Sequence, residues 1–461
     1  MGTDFDLVIR GGTVVTAAGR GLADIGVRGE VVVQIGGEMA SRREIDATGR
    51  FVLPGGVDAH VHLTQVTEPD GSPQWCDDFE SGTRAAAAGG VTTVGNMTFP
   101  WTGETLRQAV ARDSSDAERL ALVDVFLHPV LTDPESQPLD EISALAADGH
   151  TSLKFFMSFG GFTTQPTKYL EAMRLARDNG MLTVVHCEDA AMLDDAVATL
   201  LRDGEGGVEH YPRSRPVASE SAATNRIVAF AEETGAPTYV VHLSCAAALD
   251  EVRRGRARGV PLWVETRPLY LHLTEALYGD PDGAKYVGQP PLRSQTDREA
   301  IWRGIASGEI DTLCTDHAAW TMADKVTPEM DVATVRPGVP DLDTMLPMLF
   351  SEGVGTGRIS LERFVELTST NAAKLFGLYP RKGTIAPGAD ADLVIWDPSI
   401  SRPVRATAMF TNSDYSPYEG WEVTGWPVTT ISRGEVVFDD GRILSEPGRG
   451  KVLRRTVTRG L

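Results

Sequence analysis

Gly56-Val57-Asp58-Ala59-His60-Val61-His62 reads as a short buried strand with chemistry on one side. Side chains alternate between faces along a strand, so Asp58, His60 and His62 share one face and Val57, Ala59 and Val61 the other. An HxH pair means little alone, because nine histidines among 461 residues give about 0.2 such pairs by chance. Its surroundings decide the reading. Seven further apolar runs follow, at 91–97, 122–128, 152–157, 182–187, 238–243, 261–266 and 311–316. Three of them also end in a group able to hold a metal: Val184-Val185-His186, Val240-Val241-His242 and Leu313-Cys314-Thr315-Asp316. Amphipathic or alanine-rich stretches separate the runs, as the βα units of a parallel sheet require. Tyr169, Met173 and Ala176 make one helical stripe that stops at Gly180. Ser219 is expected to cap another, which carries Ala223, Ile227, Phe230 and Ala231 and ends at Gly235. Eight units over roughly 320 residues predict an α/β fold, a TIM (β/α)8 barrel with its site at the C-terminal ends of the strands.

Outside the barrel the texture changes. Residues 1–52 are short strands punctuated by Gly11-Gly12 and Gly36-Gly37, and the same pattern returns in 392–396, 428–431 and 436–438. The two chain ends are therefore expected to build one smaller composite β-sandwich. The predicted division is 1–52 for its N-terminal part, 53–370 for the metal-binding barrel, and 371–461 for its C-terminal part and tail.

Composition bounds the partners. Asp and Glu number 64 against 43 Lys and Arg, a net charge of −21, which repels phosphate backbones and anionic lipid. No nucleic-acid or membrane partner is expected. The chain opens without a basic, apolar leader and has no apolar run near the roughly 20 residues of a membrane helix, so a cytoplasmic protein is predicted. The four cysteines, Cys76, Cys187, Cys245 and Cys314, are dispersed and read as reduced thiols.

Polar groups that end apolar strands on one rim are costly unless something satisfies them. His60, His62, His186, His242 and Asp316 converge on such a rim, and imidazole with carboxylate is a donor set for Zn²⁺ or a similar divalent ion. His128, His150, His210, His272 and His317 are taken as structural or solvated. Lys154, in Ser152-Leu153-Lys154-Phe155-Phe156, lies on the same rim, where an ammonium would be repelled by a metal. Addition of carbon dioxide to its neutral amine would turn it into a carbamate able to bridge two ions.

These residues resemble the metal-site set of the amidohydrolase superfamily, in the cyclic amidohydrolase branch of hydantoinases, dihydropyrimidinases and allantoinases. Asp78-Phe79-Glu80-Ser81-Gly82-Thr83, His186-Cys187-Glu188, Pro290-Pro291-Leu292-Arg293, Leu367-Thr368-Ser369-Thr370-Asn371 and Lys382-Gly383-Thr384-Ile385 carry the resemblance over nearly the whole chain. It implies two divalent metals, Zn with Mn as the other candidate. His60, His62 and Asp316 would hold the buried metal and His186 and His242 the exposed one, with carbamylated Lys154 as bridge. Asp316 would also be the catalytic residue that moves the proton to the leaving nitrogen. The implied reaction opens a small-molecule cyclic amide, a hydantoin or dihydropyrimidine-like ring, to an N-carbamoyl amino acid. Allantoinase or cyclic imide hydrolase is the alternative. A dihydropyrimidinase-related scaffold would have lost ligands, and none is lost here. The resemblance further implies a homo-oligomer, tetramer or dimer.

Three substrate-side positions depart from the family pattern. Phe159 replaces a tyrosine five residues after the lysine, Gln289 a serine before the Pro-Pro-Leu-Arg block, and Pro337 an asparagine before Gly338-Val339-Pro340. These three are the predicted substrate contacts, and a changed specificity is expected. Loss of an oxyanion donor costs about 10² to 10³ in rate, so Ser158 or Thr163 is a candidate replacement. Residues 157–167 are expected to form a loop over the site, with Phe159, Phe162 and Trp320 lining an apolar pocket.

Overall fold

The structure is a computed structural model that describes residues 5–63 and 75–457. The outermost four positions of the first and last predicted segments lie outside the described residues. Eight parallel strands form one sheet in sequential order: β1 Gly56–Val61, β2 Val91–Thr98, β3 Asp124–Leu131, β4 Ser152–Phe156, β5 Leu182–His186, β6 Thr238–Val240, β7 Leu262–Thr266 and β8 Thr312–Leu313. A parallel bridge between Val61 and His317 joins the last unit to the first, so the sheet is a closed TIM barrel. Each strand is buried along nearly its whole length because helices cover the outside and side chains fill the inside.

Two of the eight strands are shorter than their predicted apolar runs by three residues or more. β6 stops at Val240 and β8 at Leu313, and the chain then turns through left-handed backbone at His242 (φ 38°) and Asp316 (φ 51°). Positive φ is uncommon for non-glycine residues and clusters where surrounding structure imposes it for function. Both residues are ones the sequence assigned to the metal rim.

The helix over Pro166–Asp178 buries the expected Tyr169, Met173 and Ala176 stripe. The helix expected to be capped by Ser219 begins earlier, at Val217, after Pro216. Proline suits a helix start because its missing N–H is not needed there. Ser219 lies in the first turn, and its Oγ accepts a hydrogen bond from the Asp189 N–H instead (3.0 Å).

The smaller domain is a β-sandwich made from both chain ends. A four-stranded sheet comes from the N-terminal part, with Leu7–Arg10 at its centre between Ile25–Arg28 and Glu44–Asp46. The facing seven-stranded sheet mixes both ends, and Phe51–Pro54 pairs antiparallel with the start of Leu393–Pro403. Leu7, Ile9, Val27, Leu393, Ile395 and Ile431 fill the space between them. Residues 449–457 return to the barrel, where Val452 bridges Val125 and Arg455 donates to the Leu127 carbonyl (2.8 Å). All four cysteines are free thiols, and among the described residues no helix is long and apolar enough to cross a membrane.

Candidate metal centre and substrate cavity

His60 and His62 leave β1 on its inward face, His186 ends β5, and His242 and Asp316 stand just beyond β6 and β8. Their side chains meet. Asp316 Oδ1 lies 3.2 Å from His60 Nε2 and 3.0 Å from His62 Nε2, and these three ligand atoms could hold one ion. His186 Nδ1 faces His242 Nε2 at 2.9 Å, and the His60 and His242 rings are 5.5 Å apart. Lys154 lies on β4 with a fully buried side chain, and its Nζ has no hydrogen-bond partner. The Nδ1 atoms of His62 and His242 are likewise buried without a partner.

Carboxylates behind the rim set the orientation of the imidazoles, a common arrangement around metal-ligating histidines. Glu265, on β7, accepts from His60 Nδ1 (2.7 Å), from the Tyr239 hydroxyl (2.9 Å) and from the His242 backbone N–H (3.0 Å). Glu188 accepts from His186 Nε2 (2.8 Å) and from Arg215 Nε (3.0 Å). The lone pairs of His60 Nε2 and His186 Nδ1 are thereby left facing the cavity. Sequence reasoning missed both acids. Their available signals were a glutamate inside the apolar 261–266 run and a second acid-base pair in His186-Cys187-Glu188.

The electrostatics follow from burial. Desolvation keeps His60 and His242 well below the ordinary histidine value, so both are neutral, lone-pair donors. Burial pushes Lys154 down to about 8. Burial also pushes Glu265 up to about 7, with Lys154 opposing it. For Asp316 burial acts upward, but Arg267 and His60 outweigh it and hold the carboxyl well below the usual range. Arg267, another residue the sequence reading passed over, donates to Asp316 Oδ2 (2.7 Å) and leaves Oδ1 to the histidines. Asp58 points inward as expected but lies deeper, accepting from the Thr315 hydroxyl (2.6 Å). His128 is also beneath the rim, between Ser152 Oγ (2.7 Å) and the Ala59 carbonyl (3.0 Å).

A cavity of about 340 Å³ opens above this centre, with His60, His62, His186, His242 and Asp316 on its lining. The three departures named above, Phe159, Gln289 and Pro337, line it too. One wall is aromatic. Trp75 packs against Phe99 (ring centroids 6.2 Å apart), Phe99 against Phe156 (5.4 Å), and Phe156 stacks on Phe159 (4.6 Å). Trp101 completes it, under the Arg112 guanidinium at 4.2 Å.

Parts of the expected pocket are elsewhere. Phe162 is fully buried in the barrel core against Tyr169 and Phe230, and Trp320 stands behind the cavity wall with its indole N–H on the Pro337 carbonyl (2.8 Å). Residues 157–167 are largely helical, as Gly160–Thr164 followed by the start of Pro166–Asp178. Burial of Phe162 anchors the short helix and turns Thr163 outward, and neither Ser158 nor Thr163 is on the cavity lining.

Barrel, sandwich and rim together define a metal-site hydrolase scaffold, and comparison with known proteins agrees. The chain belongs to the amidohydrolase family, whose profile matches residues 51–437. It is 40% identical over 455 residues to a D-phenylhydantoinase of Escherichia coli O9:H4 (strain HS), covering 97% of this chain and 98% of that protein. Among solved structures, a D-hydantoinase from a Bacillus sp. AR9 superposes with a TM-score of 0.94 at 39% identity, over 99% of this chain and 100% of that one. A D-hydantoinase (dihydropyrimidinase) from Thermus sp. also has a TM-score of 0.94, at 35% identity over 98% and 99% of the two chains.

Proposed function

We propose that this protein is a binuclear metal-dependent hydrolase that opens a cyclic amide, a hydantoin or dihydropyrimidine-like ring, to an N-carbamoyl amino acid. The observation that carries the reading is one rim holding four imidazoles, Asp316 and a buried lysine without a hydrogen-bond partner. Those residues fit two divalent ions. His60, His62 and Asp316 would hold one, His186 and His242 the other, and carbamylated Lys154 would bridge them. Zn is the first candidate metal and Mn the second. When bound, such a pair activates water near neutral pH and polarises a carbonyl.

The chain's own groups do the rest. The neutral amine of Lys154 adds to carbon dioxide and loses a proton, which turns a buried amine without a hydrogen-bond partner into an anionic ligand. Glu265 and Glu188 hold the imidazoles with their lone pairs toward the cavity. Arg267 keeps Asp316 ionised, and Asp316 accepts the proton of the attacking water and passes it to the ring nitrogen as the C–N bond breaks. The aromatic wall excludes bulk water and takes an apolar ring substituent, with Phe159, Gln289 and Pro337 as substrate contacts. In line with the hydantoinase relatives, we expect a homo-oligomer, tetramer or dimer.

The test is a ring-opening screen over dihydrouracil, 5-substituted hydantoins of both hands, allantoin and cyclic imides, with Zn or Mn and bicarbonate, alongside elemental analysis. About two metals per chain and turnover of a hydantoin or dihydropyrimidine are expected. Less than about half a metal per chain, or no ring opened, overturns the reading.

A further inference from the structure

His317, read from the sequence as structural or solvated, stands directly after Asp316 and is completely buried. Its backbone is wedged between two of the rim residues. The His317 carbonyl accepts from the His62 N–H (2.8 Å), and its own N–H donates to Thr315 Oγ1 (3.0 Å). Asp316 lies between Thr315 and His317 in left-handed backbone, φ 51°, which a non-glycine residue adopts only where its neighbours impose it.

The imidazole supplies that constraint. Nδ1 accepts from the backbone N–H groups of Asp341 (3.1 Å) and Leu342 (3.3 Å), so this nitrogen carries no proton and Nε2 carries one. Nε2 donates it to Asp77 Oδ2 at 2.9 Å. Asp77 is equally buried and takes two more donors, the Thr411 hydroxyl on Oδ2 and the Asn412 N–H on Oδ1 (2.8 Å). Burial acts upward on the Asp77 carboxyl, but His317 and the other donors outweigh it and hold it below the usual carboxylate value. Thr411 and Asn412 belong to the excursion between Leu393–Pro403 and Glu422–Ser432, so the smaller domain reaches the rim at this carboxylate. Neither Asp77 nor His317 is on the cavity lining. The His186 side of the rim rests on other partners, Glu188 and behind it Arg215.

We propose that Asp77 and His317 are positioning residues for the half of the centre formed by His62 and Asp316. The buried carboxylate fixes the imidazole, and the imidazole fixes the turn that aims Asp316 Oδ1 toward His62. This rests on the two-metal reading above and deepens it, because it makes the two ion sites depend on different supports.

Release of zinc from the loaded enzyme to a chelator, resolved into one phase per ion and measured beside the unfolding midpoint and turnover, tests it. Asp77→Ala should speed one phase by about 10-fold and leave the other within about threefold, the lower end of what a supporting residue behind a metal ligand costs. Glu188→Gln, which loosens His186, should speed the other phase. Asp77→Asn keeps an oxygen for the Nε2–H and should fall between Asp77→Ala and the wild type. In the Asp77 variants kcat should fall with little change in KM, since neither residue meets the substrate. Both phases quickening together, in step with lost stability, would mean a merely structural pair. Release unchanged in Asp77→Ala, or quickened in the same phase as in Glu188→Gln, would also overturn the proposal. Should Asp77→Ala fail to fold, Asp77→Asn and His317→Gln decide the matter by the same comparison. A wild type that holds less than about half a metal per chain overturns the two-metal reading instead.

Discussion

Lys154 and Lys382 are both buried lysines near convergent acids, and their surroundings could hardly differ more. Lys382 has Asp124 and Asp392 each at 2.6 Å and Asp390 at 2.9 Å. Burial works against its charge, but the three carboxylates outweigh that and keep the ammonium above the ordinary lysine value. Asp124 lies on barrel strand β3 whereas Asp390 and Asp392 lead into the sandwich, so this cluster joins the two domains. Lys154 has no hydrogen-bond partner, and burial outweighs Glu265 and Asp316 and pulls it down to about 8. Three carboxylates in ligand-like proximity are thus a finished ion cluster around Lys382, while His60, His62 and Asp316 at the rim could hold an ion beside an unsatisfied amine. Completeness of the charge balance separates a structural tie from a site.

The comparison can be broken in four ways, taken from the largest effect down. Lys154→Ala should remove both bound metal and turnover, with short carboxylic acids restoring part of each. Unchanged metal content would remove Lys154 from the centre. Lys382→Met should leave Asp392 without a cation and Asp124 with Arg433 alone, and destabilise the fold by about 3–5 kcal/mol, read as an earlier unfolding midpoint, while kcat of the folded fraction stays near that of the wild type. If turnover rather than stability collapses, the two lysines are not as different as their partners suggest. Glu265→Gln should weaken metal binding by about 10- to 100-fold through the loosened His60 imidazole, measured by competition with a chelator.

The smallest effect concerns pH. Only the neutral amine of Lys154 adds carbon dioxide, and its depressed value near 8 means the neutral fraction grows through that region rather than through the ordinary lysine value of 10.5. Reloading of metal-stripped enzyme, compared at one fixed concentration of dissolved carbon dioxide, should therefore quicken up to about pH 8 and level off above about pH 9. A rate still climbing tenfold per unit beyond that would indicate an unperturbed lysine.

Much of this was legible before folding. Strand and turn texture at both ends marked the composite sandwich, and apolar runs ending in His or Asp marked the barrel mouth, because a strand places every second residue on one face. The lengths of β6 and β8 were not legible, since left-handed turns at His242 and Asp316 leave no trace in an apolar pattern. Nor were the cavity walls. Trp75, Phe99 and Trp101 sit in connections that periodicity does not describe, and Phe162 looked like a pocket aromatic until packing put it in the core.

The amino-acid order alone determined the architecture and which side chains end strands on one rim, because periodicity 2 and the end of an apolar run are local properties of a chain. Only the tertiary structure decided which lysine is satisfied and which aromatic side chains wall the cavity. Lys382 and Asp124 are separated by 258 residues, and Arg267 and Asp316 by 49. Coulomb attraction and desolvation depend on distance through space, which the chain acquires only on folding.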